Sequence, residues 1–270
     1  MILNKTNIDE IKEQSYMINI NKPLGVTSYD VIRKLKPKFK GKKIGHAGTL
    51  DPLANGVLII LVGKKATRKQ SEFMNVDKTY EFEVLFGFET DTYDILGLIL
   101  NSTQYDIKKI KEEVPTLLKN YNGEISQKVP PFSAVKIQGK PLYRWYLDGK
   151  INEVEIPTKT ININKIEIVN ERIISKKELH QEIVDLLETV KSGFRQKQIL
   201  EKWNLELEKT NQDKFLIIKV RADVSKGTYV RAIAHELGKE LGVGACTLTI
   251  TRTRVGKYTI EDAIGVDEVG

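Results

Sequence analysis

The position of one carboxylate makes it the first candidate for chemistry in this chain. Asp51 lies in the sequence Gly-His-Ala-Gly-Thr-Leu-Asp-Pro-Leu-Ala-Asn-Gly at residues 45–56, just before an apolar run at residues 57–62. An aspartate in an Asp-Pro sequence usually serves only to form the turn. A carboxylate that a tight loop holds beside a basic surface can instead act as a nucleophile or a base. The loop by itself favours the turn, so the choice depends on the rest of the chain.

The charge of the chain favours an anionic partner. Its 270 residues carry 43 Lys and Arg against 36 Asp and Glu, which gives a formal net charge of +7 at pH 7. Six lysines are concentrated just before the Asp51 loop, namely Lys34, Lys36, Lys38, Lys40, Lys42 and Lys43. A basic cluster beside a candidate site is typical of proteins that neutralise phosphates, so nucleic acid is the first partner to consider.

Other sequence features point away from secretion, membranes and metals. The single cysteine, Cys246, excludes an internal disulfide and fits a reducing compartment. The first residues lack the apolar core of a signal peptide, and no apolar run reaches the ~20 residues that cross a bilayer. The three histidines are far apart and outside any zinc motif: His46, His180 and His235. We therefore expect a cytoplasmic protein without a membrane segment or a metal.

Hydrophobic periodicity predicts strands and helices in mixed order, without a repeat. The predicted strands cover residues 17–20, 57–62, 79–86, 156–169 and 215–224, and the predicted helices cover residues 27–36, 107–118 and 230–241. Thr27 and Asp30 form a capping box at the first helix. Residues 1–15 are expected to be a loose leader or short helix, and residues 63–67 a turn. This order predicts an α+β domain with a mixed, largely antiparallel sheet flanked by helices.

Residues 171–213 differ from the rest of the chain because they are charged, glycine-poor and helical in pattern. Ser175 and Glu178 form a second capping box, and apolar residues follow at helical spacing. The favoured interpretation is a solvated helical hairpin, since interspersed charge is typical of an exposed helix. The alternative is an RNA-contacting arm, for which four basic residues are available: Lys191, Arg195, Lys197 and Lys202.

Five segments resemble, in chain order, motifs of the TruB family of tRNA pseudouridine synthases. The Asp51 segment resembles the catalytic loop of that family. The others are Lys-Pro-Leu-Gly-Val-Thr-Ser at residues 22–28, Lys-Thr-Tyr at 78–80, Gly-Phe-Glu-Thr-Asp-Thr-Tyr-Asp-Ile-Leu-Gly at 87–97 and Ser-Lys-Gly-Thr-Tyr-Val-Arg at 225–231. Residues 127–136 are also similar. The resemblance covers roughly residues 17–264, apart from the segment 171–213.

This resemblance implies a pseudouridine synthase fold and one catalytic domain over residues 1–270, with residues 171–213 as a helical insertion. It implies that the protein isomerises a uridine of the tRNA T-loop, at position 55, to pseudouridine. The base is detached from C1′, rotated and rejoined through C5. No metal or organic cofactor is expected, because the reaction is redox-neutral and a side chain supplies the carboxylate. We expect a monomer whose partner is the T-arm of tRNA.

The resemblance also assigns roles to residues of this chain. Asp51 would be the catalytic carboxylate, either as a covalent nucleophile or in a glycal-type elimination. Arg231 would pair with Asp51 and keep it ionised and oriented. Tyr80 would stack on the flipped uracil. Five further residues are expected to contact RNA or border the pocket: His46, which would help to fill the vacated stack, and Lys22, Thr49, Lys226 and Tyr229.

The chain departs from the family pattern at three places. Cys246 stands where the family commonly has histidine, and Thr251 stands in place of the first arginine of a Leu-Arg-Arg-Thr motif. Bacterial relatives usually continue into a C-terminal RNA-binding domain of PUA type, which we do not expect here. The insertion is not typical of the family.

Two other functions were compatible with parts of the sequence. A non-catalytic RNA-binding chaperone on the same fold would not need Asp51, Tyr80 and Arg231 together. A serine acyltransferase could start from the Ser-x-x-Lys pattern at residues 133–136, but its companion motifs are missing.

Overall fold

The computed structural model of the chain describes residues 8–12, 15–191 and 193–269. The chain divides into two compact units. Unit 1 comprises Met1–Glu81, Glu188–Lys191 and Ile250–Gly270, and unit 2 comprises Phe82–Leu187 and Ser192–Thr249.

The strands and helices alternate irregularly along the chain. The strands are β1 (Ile8–Lys12), β2 (Ser15–Lys22), β3 (Ile44–Ala47), β4 (Ala54–Val62), β5 (Lys78–Phe86), β6 (Phe88–Thr90), β7 (Ile99–Ser102), β8 (Gly123–Lys128), β9 (Lys136–Ile137), β10 (Lys140–Pro141), β11 (Thr158–Ser175), β12 (Lys214–Val224), β13 (Ala245–Val255), β14 (Tyr258–Thr259) and β15 (Ile264–Gly265). The helices are α1 (Ser28–Leu35), α2 (Lys64–Arg68), α3 (Gln70–Met74), α4 (Ile107–Lys119), α5 (Leu142–Leu147), α6 (Lys176–Thr189), α7 (Gln196–Lys209) and α8 (Val230–Glu240).

The sheet of unit 1 is mixed. β2 pairs antiparallel with β1 and with β4, and β3 also pairs antiparallel with β4. Residues 250–252 of β13 run parallel to β4, and β15 runs parallel to β2. One core cluster of this unit joins apolar residues of β2, β3, β4, α2 and β13, namely Met17, Ala47, Val57, Ile59, Leu61, Ala66 and Val255. Burial explains why residues 57–62 are apolar without alternation, since both faces of β4 are covered.

The sheet of unit 2 is built on a long antiparallel pair. β11 pairs with β12 from Ile163↔Val224 to Ser175↔Lys214, and its first residues pair antiparallel with β8. β6 and β7 form a separate hairpin. Helix α4 packs against β11 and α8. In α7, Trp203 is fully buried and stacks at a tilt against Phe88, with 4.9 Å between ring centroids.

The structure confirms the expected α+β fold with a mixed, largely antiparallel sheet and flanking helices. Both predicted capping boxes are present: Thr27 with Asp30, and Ser175 with Glu178. Within residues 171–213, residues 171–175 continue β11, and α6 and α7 follow.

Two local predictions were wrong. Residues 8–12 form a strand rather than a leader or helix, because they pair with β2; residues 1–7 and 13–14 lie outside the described part of the chain. Residues 64–68 form the short helix α2 rather than a turn. Among the described residues, none of the helices is long and apolar enough to cross a membrane.

Candidate active site

The loop that carries Asp51 is fixed through the backbone on both sides of that residue. The Ser28 hydroxyl donates to the Leu50 carbonyl at 3.2 Å and accepts from the Leu50 amide at 2.9 Å. The Gly25 amide donates to the Pro52 carbonyl at 2.9 Å. Asp51 itself is partly exposed. Its carboxyl group is therefore presented by a loop whose two neighbouring residues are held in place.

Lys22, at the end of β2, supports the same loop from the interior. Its side chain is fully buried, and the ammonium donates to the carbonyls of Pro23 at 2.9 Å, Val26 at 2.6 Å and Pro52 at 3.5 Å. An ammonium has three protons to donate, and carbonyl oxygens are their acceptors here. This arrangement joins the turn after β2 to the Asp51 loop, so the position of Lys22 favours a role in holding the loop.

The charge of Lys22 is coupled to that of Asp51. Burial lowers the pKa of Lys22 from 10.5 to about 8, because a charged ammonium loses hydration in the interior. The negative charge of Asp51 opposes this shift, and the positive charge of Arg252 adds to it. Lys22 thus lies within electrostatic reach of both the Asp51 carboxylate and the Arg252 guanidinium.

The lowered pKa predicts a pH-dependent contribution of Lys22 to stability. Between pH 8 and 10.5 the unfolded chain keeps a proton on Lys22 that the folded chain has released. Unfolding then takes up a proton, so the free energy of unfolding increases with pH across this interval. From pH about 7.5 to about 9.5, we expect wild type to gain about 1–2 kcal/mol relative to Lys22→Met in urea unfolding. A difference between the two proteins that does not change with pH would show that Lys22 keeps its ordinary pKa.

Arg252, on β13, is a further support that sequence reasoning missed. Its side chain is buried, and its guanidinium donates to the carbonyls of Val57 at 2.7 Å, Gly48 at 3.0 Å and Thr49 at 3.5 Å. It also lies 3.5 Å from the Tyr80 hydroxyl. The only signal in the sequence was its place in the Leu-Arg-Arg-Thr-like segment, which did not indicate a role. The guanidinium donors thus hold the backbone of Gly48 and Thr49, at the start of the Asp51 loop.

The structure places three more predicted residues around this loop. Tyr80, on β5, is nearly buried, with its ring centroid 6.0 Å from the Arg252 Cζ atom. His46, on β3, is partly buried; burial and the nearby Arg252 charge lower its pKa, so the ring is neutral at pH 7. Its Nδ1 atom makes no hydrogen bond within the described part of the chain. Thr49 is exposed. Five of the predicted site residues belong to unit 1, namely Lys22, His46, Thr49, Asp51 and Tyr80.

In unit 2, Arg231 is held by two separate segments. It lies on α8 and is 3% exposed. Its guanidinium donates to the carbonyl of Thr92 and, at 3.2 Å, to that of Phe132, and its Nε atom lies 3.6 Å from Asp94 Oδ2. Asp94 is itself positioned, because its Oδ1 atom accepts from the Thr92 hydroxyl at 2.6 Å. The Thr-Asp-Thr-x-Asp motif is visible in the sequence, but its spacing carries no signal that Asp94 is a partner of Arg231.

The predicted ion pair between Arg231 and Asp51 stays a prediction, because the two residues belong to different units.

The turn before α8 is fixed by a glutamine from β8. The Tyr229 amide donates to Gln127 Oε1 at 2.8 Å, and Gln127 Nε2 donates to the Tyr229 carbonyl at 3.1 Å. Gln127 is buried, so this pair sets the backbone two residues before Arg231. Lys226 lies in the same turn and is exposed.

Gly25 is a position where only glycine fits. Its φ is +79°, and a Cβ atom there would lie 1.9 Å from the Thr189 carbonyl oxygen. Gly41 has nearly the same φ, +75°, with nothing within 4 Å of its Cβ position. Both alanine variants incur the left-handed backbone cost of about 1–2 kcal/mol. Gly25→Ala must in addition displace the Thr189 backbone, so we expect it to lower the free energy of unfolding by at least about 1 kcal/mol more than Gly41→Ala. Urea unfolding of both variants measures this, and equal losses would contradict the close contact.

The chain shares its fold with a chain in a crystal structure of a Cbf5-Nop10-Gar1 complex. The two superpose with a TM-score of 0.57 at 24% sequence identity, over 94% of this chain and 53% of that chain. This chain therefore spans about half the length of the solved one.

The sequence comparisons identify the family. Residues 36–184 match the N-terminal domain of TruB family pseudouridylate synthases. The chain is 34% identical to tRNA pseudouridine synthase B of Aquifex aeolicus over 251 residues, 92% of this chain and 71% of the relative. It is 36% identical to tRNA pseudouridine synthase B of Fusobacterium nucleatum over 245 residues, 91% of this chain and 69% of the relative. The chain belongs to the TruB family of pseudouridylate synthases, which confirms the resemblance carried by its motifs.

Proposed function

We propose that the protein isomerises uridine to pseudouridine at position 55 in the T-loop of tRNA, with Asp51 as the catalytic carboxylate. The names of the two relatives support tRNA as the substrate. The observation that carries the role of Asp51 is the anchored loop, in which buried groups hold the backbone on both sides of one partly exposed carboxylate. A reaction at a flipped nucleotide needs such a preorganised group, because the substrate must be brought to it at a cost of a few kcal/mol.

The chemistry requires a carboxylate that is ionised and correctly aimed. Asp51 attacks the sugar or base as a nucleophile, or assists a glycal-type elimination, and both routes use the same ionised group. The negative charge of Asp51 and the positive charge of the buried Lys22 attract each other. Arg231 pairs with Asp51 in the RNA complex, and Tyr80 stacks on the flipped uracil. His46, Thr49, Tyr229 and Lys226 contact the RNA around it.

The lysines before the loop supply affinity for the RNA backbone. Five of them are exposed in unit 1: Lys34, Lys36, Lys38, Lys40 and Lys43. Each phosphate contact adds roughly 0.7–0.9 to the slope of log affinity against log salt concentration. Single lysine-to-alanine changes in this cluster therefore weaken binding and flatten the slope without altering the chemical step at saturation.

We propose that the protein acts as a monomer in the cytoplasm.

A tritium-release assay tests the function directly. The substrate is a T-arm stem-loop whose uridines carry tritium at C5, because pseudouridine formation replaces the C5–H bond with a C–C bond. Wild-type protein is expected to release tritium from this RNA, and not from a control RNA with cytidine at position 55. Tight binding without release would instead identify a non-catalytic RNA-binding protein. Release from both RNAs would show a uridine isomerase with a different target position.

A further inference from the structure

The segment that joins α6 to α7 directs one arginine into the interior of unit 2. Arg195 precedes α7 and has a left-handed backbone, with φ of 56°. Its guanidinium forms a two-point contact with Asp91, with Nη1–Oδ2 at 2.9 Å and Nη2–Oδ1 at 3.3 Å. The Asp91 side chain is 1% exposed. A buried carboxylate is costly unless it is paired, so this contact is a requirement of the local structure.

The same guanidinium touches a second segment. Its Cζ atom lies 4.9 Å from the centroid of the Phe132 ring, a cation–π distance. The carbonyls of Phe132 and Thr92 both accept from Arg231. Asp91 is the chain neighbour of Thr92. Arg195 therefore contacts both segments that hold the Arg231 guanidinium, one through a carboxylate and one through an aromatic face.

A tyrosine packs against the cluster formed by Arg195, Asp91 and Phe132. The ring of Tyr146 packs at 4.6 Å from that of Phe132, and burial and the charge of Asp91 raise its pKa. Asp91 also accepts from the Leu98 amide at 2.8 Å. The cluster is thus packed on several sides, and Arg195 supplies its cation.

We infer that Arg195, contributed by the helical insertion, is a positioning residue for Arg231 in the isomerisation. This inference rests on the proposed function. Arg195 fixes the spacing between the Thr92 and Phe132 carbonyls, and that spacing determines where the Arg231 guanidinium lies. Removing Arg195 leaves a buried carboxylate without its cation beside Thr92 and takes the cation away from the face of the Phe132 ring. The loop then relaxes, and Arg231 loses the geometry that the reaction needs.

Exposure distinguishes this role from RNA contact. The Arg195 side chain is 23% exposed, and its two terminal nitrogens already bind Asp91. Lys197, only two residues later, is 91% exposed. A residue that reached out to phosphates would resemble Lys197 in exposure. The structure thus assigns Arg195 an internal role that differs from both a solvated hairpin and an RNA-binding arm.

The test compares three variants of the full-length protein under single-turnover conditions, with affinity for tRNA measured separately. Arg195→Ala is expected to lower the rate at saturating protein by at least ~10-fold while affinity changes by less than ~3-fold. Arg195→Lys restores the charge but not the two-point contact or the ring contact, so its rate falls between those of wild type and Arg195→Ala. Arg221→Ala is the matched control, because it removes an exposed arginine of the same unit; wild-type rate is expected.

Chemical rescue adds a readout that general destabilisation would not give. Millimolar guanidinium should raise the rate of Arg195→Ala several-fold, because it can occupy the vacated contact with Asp91, and should leave wild type unchanged. The double variant Arg195→Ala with Asp91→Asn should lose little more than either single variant, since the two residues act as a pair.

Three results would overturn the inference. The first is a normal rate for Arg195→Ala. The second is a defect confined to affinity, which indicates an RNA contact. The third is a rate loss that neither guanidinium nor the lysine variant repairs, which indicates a damaged fold. Inactive wild-type protein would reject the proposed function instead, and that result is visible before any variant is made.

Discussion

Replacing Asp51 by asparagine is expected to abolish pseudouridine formation while tRNA affinity stays nearly unchanged. The anchors of the loop are the Leu50 and Pro52 backbone groups, so the isosteric amide leaves them in place. An amide cannot serve as the nucleophile or base, and we expect a loss of at least ~1,000-fold, about 4 kcal/mol of transition-state stabilisation. Single-turnover tritium release measures the rate, and filter binding measures the affinity.

The control for this variant is Asp262→Asn, which makes the same change at an exposed carboxylate of unit 1. It should keep the wild-type rate. Asp51→Ala should be as inactive as Asp51→Asn, because the reaction requires the charge and not the volume of the side chain. Activity of Asp51→Asn within tenfold of wild type would remove Asp51 from the catalytic role.

Arg231→Lys should lower the single-turnover rate by at least ~10-fold, about 1.4 kcal/mol. The Arg231 guanidinium spans two carbonyls from separate segments, those of Thr92 and Phe132, and lies beside Asp94. A lysine carries one nitrogen at the end of a flexible chain and cannot span them. It also cannot offer the planar two-point contact that a pairing with Asp51 requires.

Arg172→Lys provides the matched control. Arg172 forms a two-point contact with Glu182, at 2.8 and 2.7 Å, in the same unit. Losing that contact should reduce the free energy of unfolding without changing the rate at a temperature where the protein stays folded. A normal rate for Arg231→Lys would show that a positive charge alone is sufficient at this position.

Local sequence was sufficient where the deciding contacts lie close along the chain. The capping boxes at Thr27 and Ser175 were predictable because each joins residues three apart. The apolar run at residues 57–62 predicted a buried strand, which β4 is. The Asp51 loop and the family were recognisable because their residue types are set by turn chemistry and occur in fixed spacing.

Tertiary structure determined whether the charged residues that support the site are exposed or buried. Arg252 looks like an ordinary surface cation in the sequence, and Lys22 was expected to contact RNA or border the pocket, yet both side chains are buried. Arg252 contacts the Gly48 carbonyl, 204 positions away in the chain. Arg195 was grouped with solvent-facing basic residues, and its partner Asp91 lies 104 positions away. Residues 8–12 became a strand only through pairing with β2. Whether a charge is exposed or buried depends on partners that only the folded chain brings within hydrogen-bond distance, and local periodicity carries no information about them.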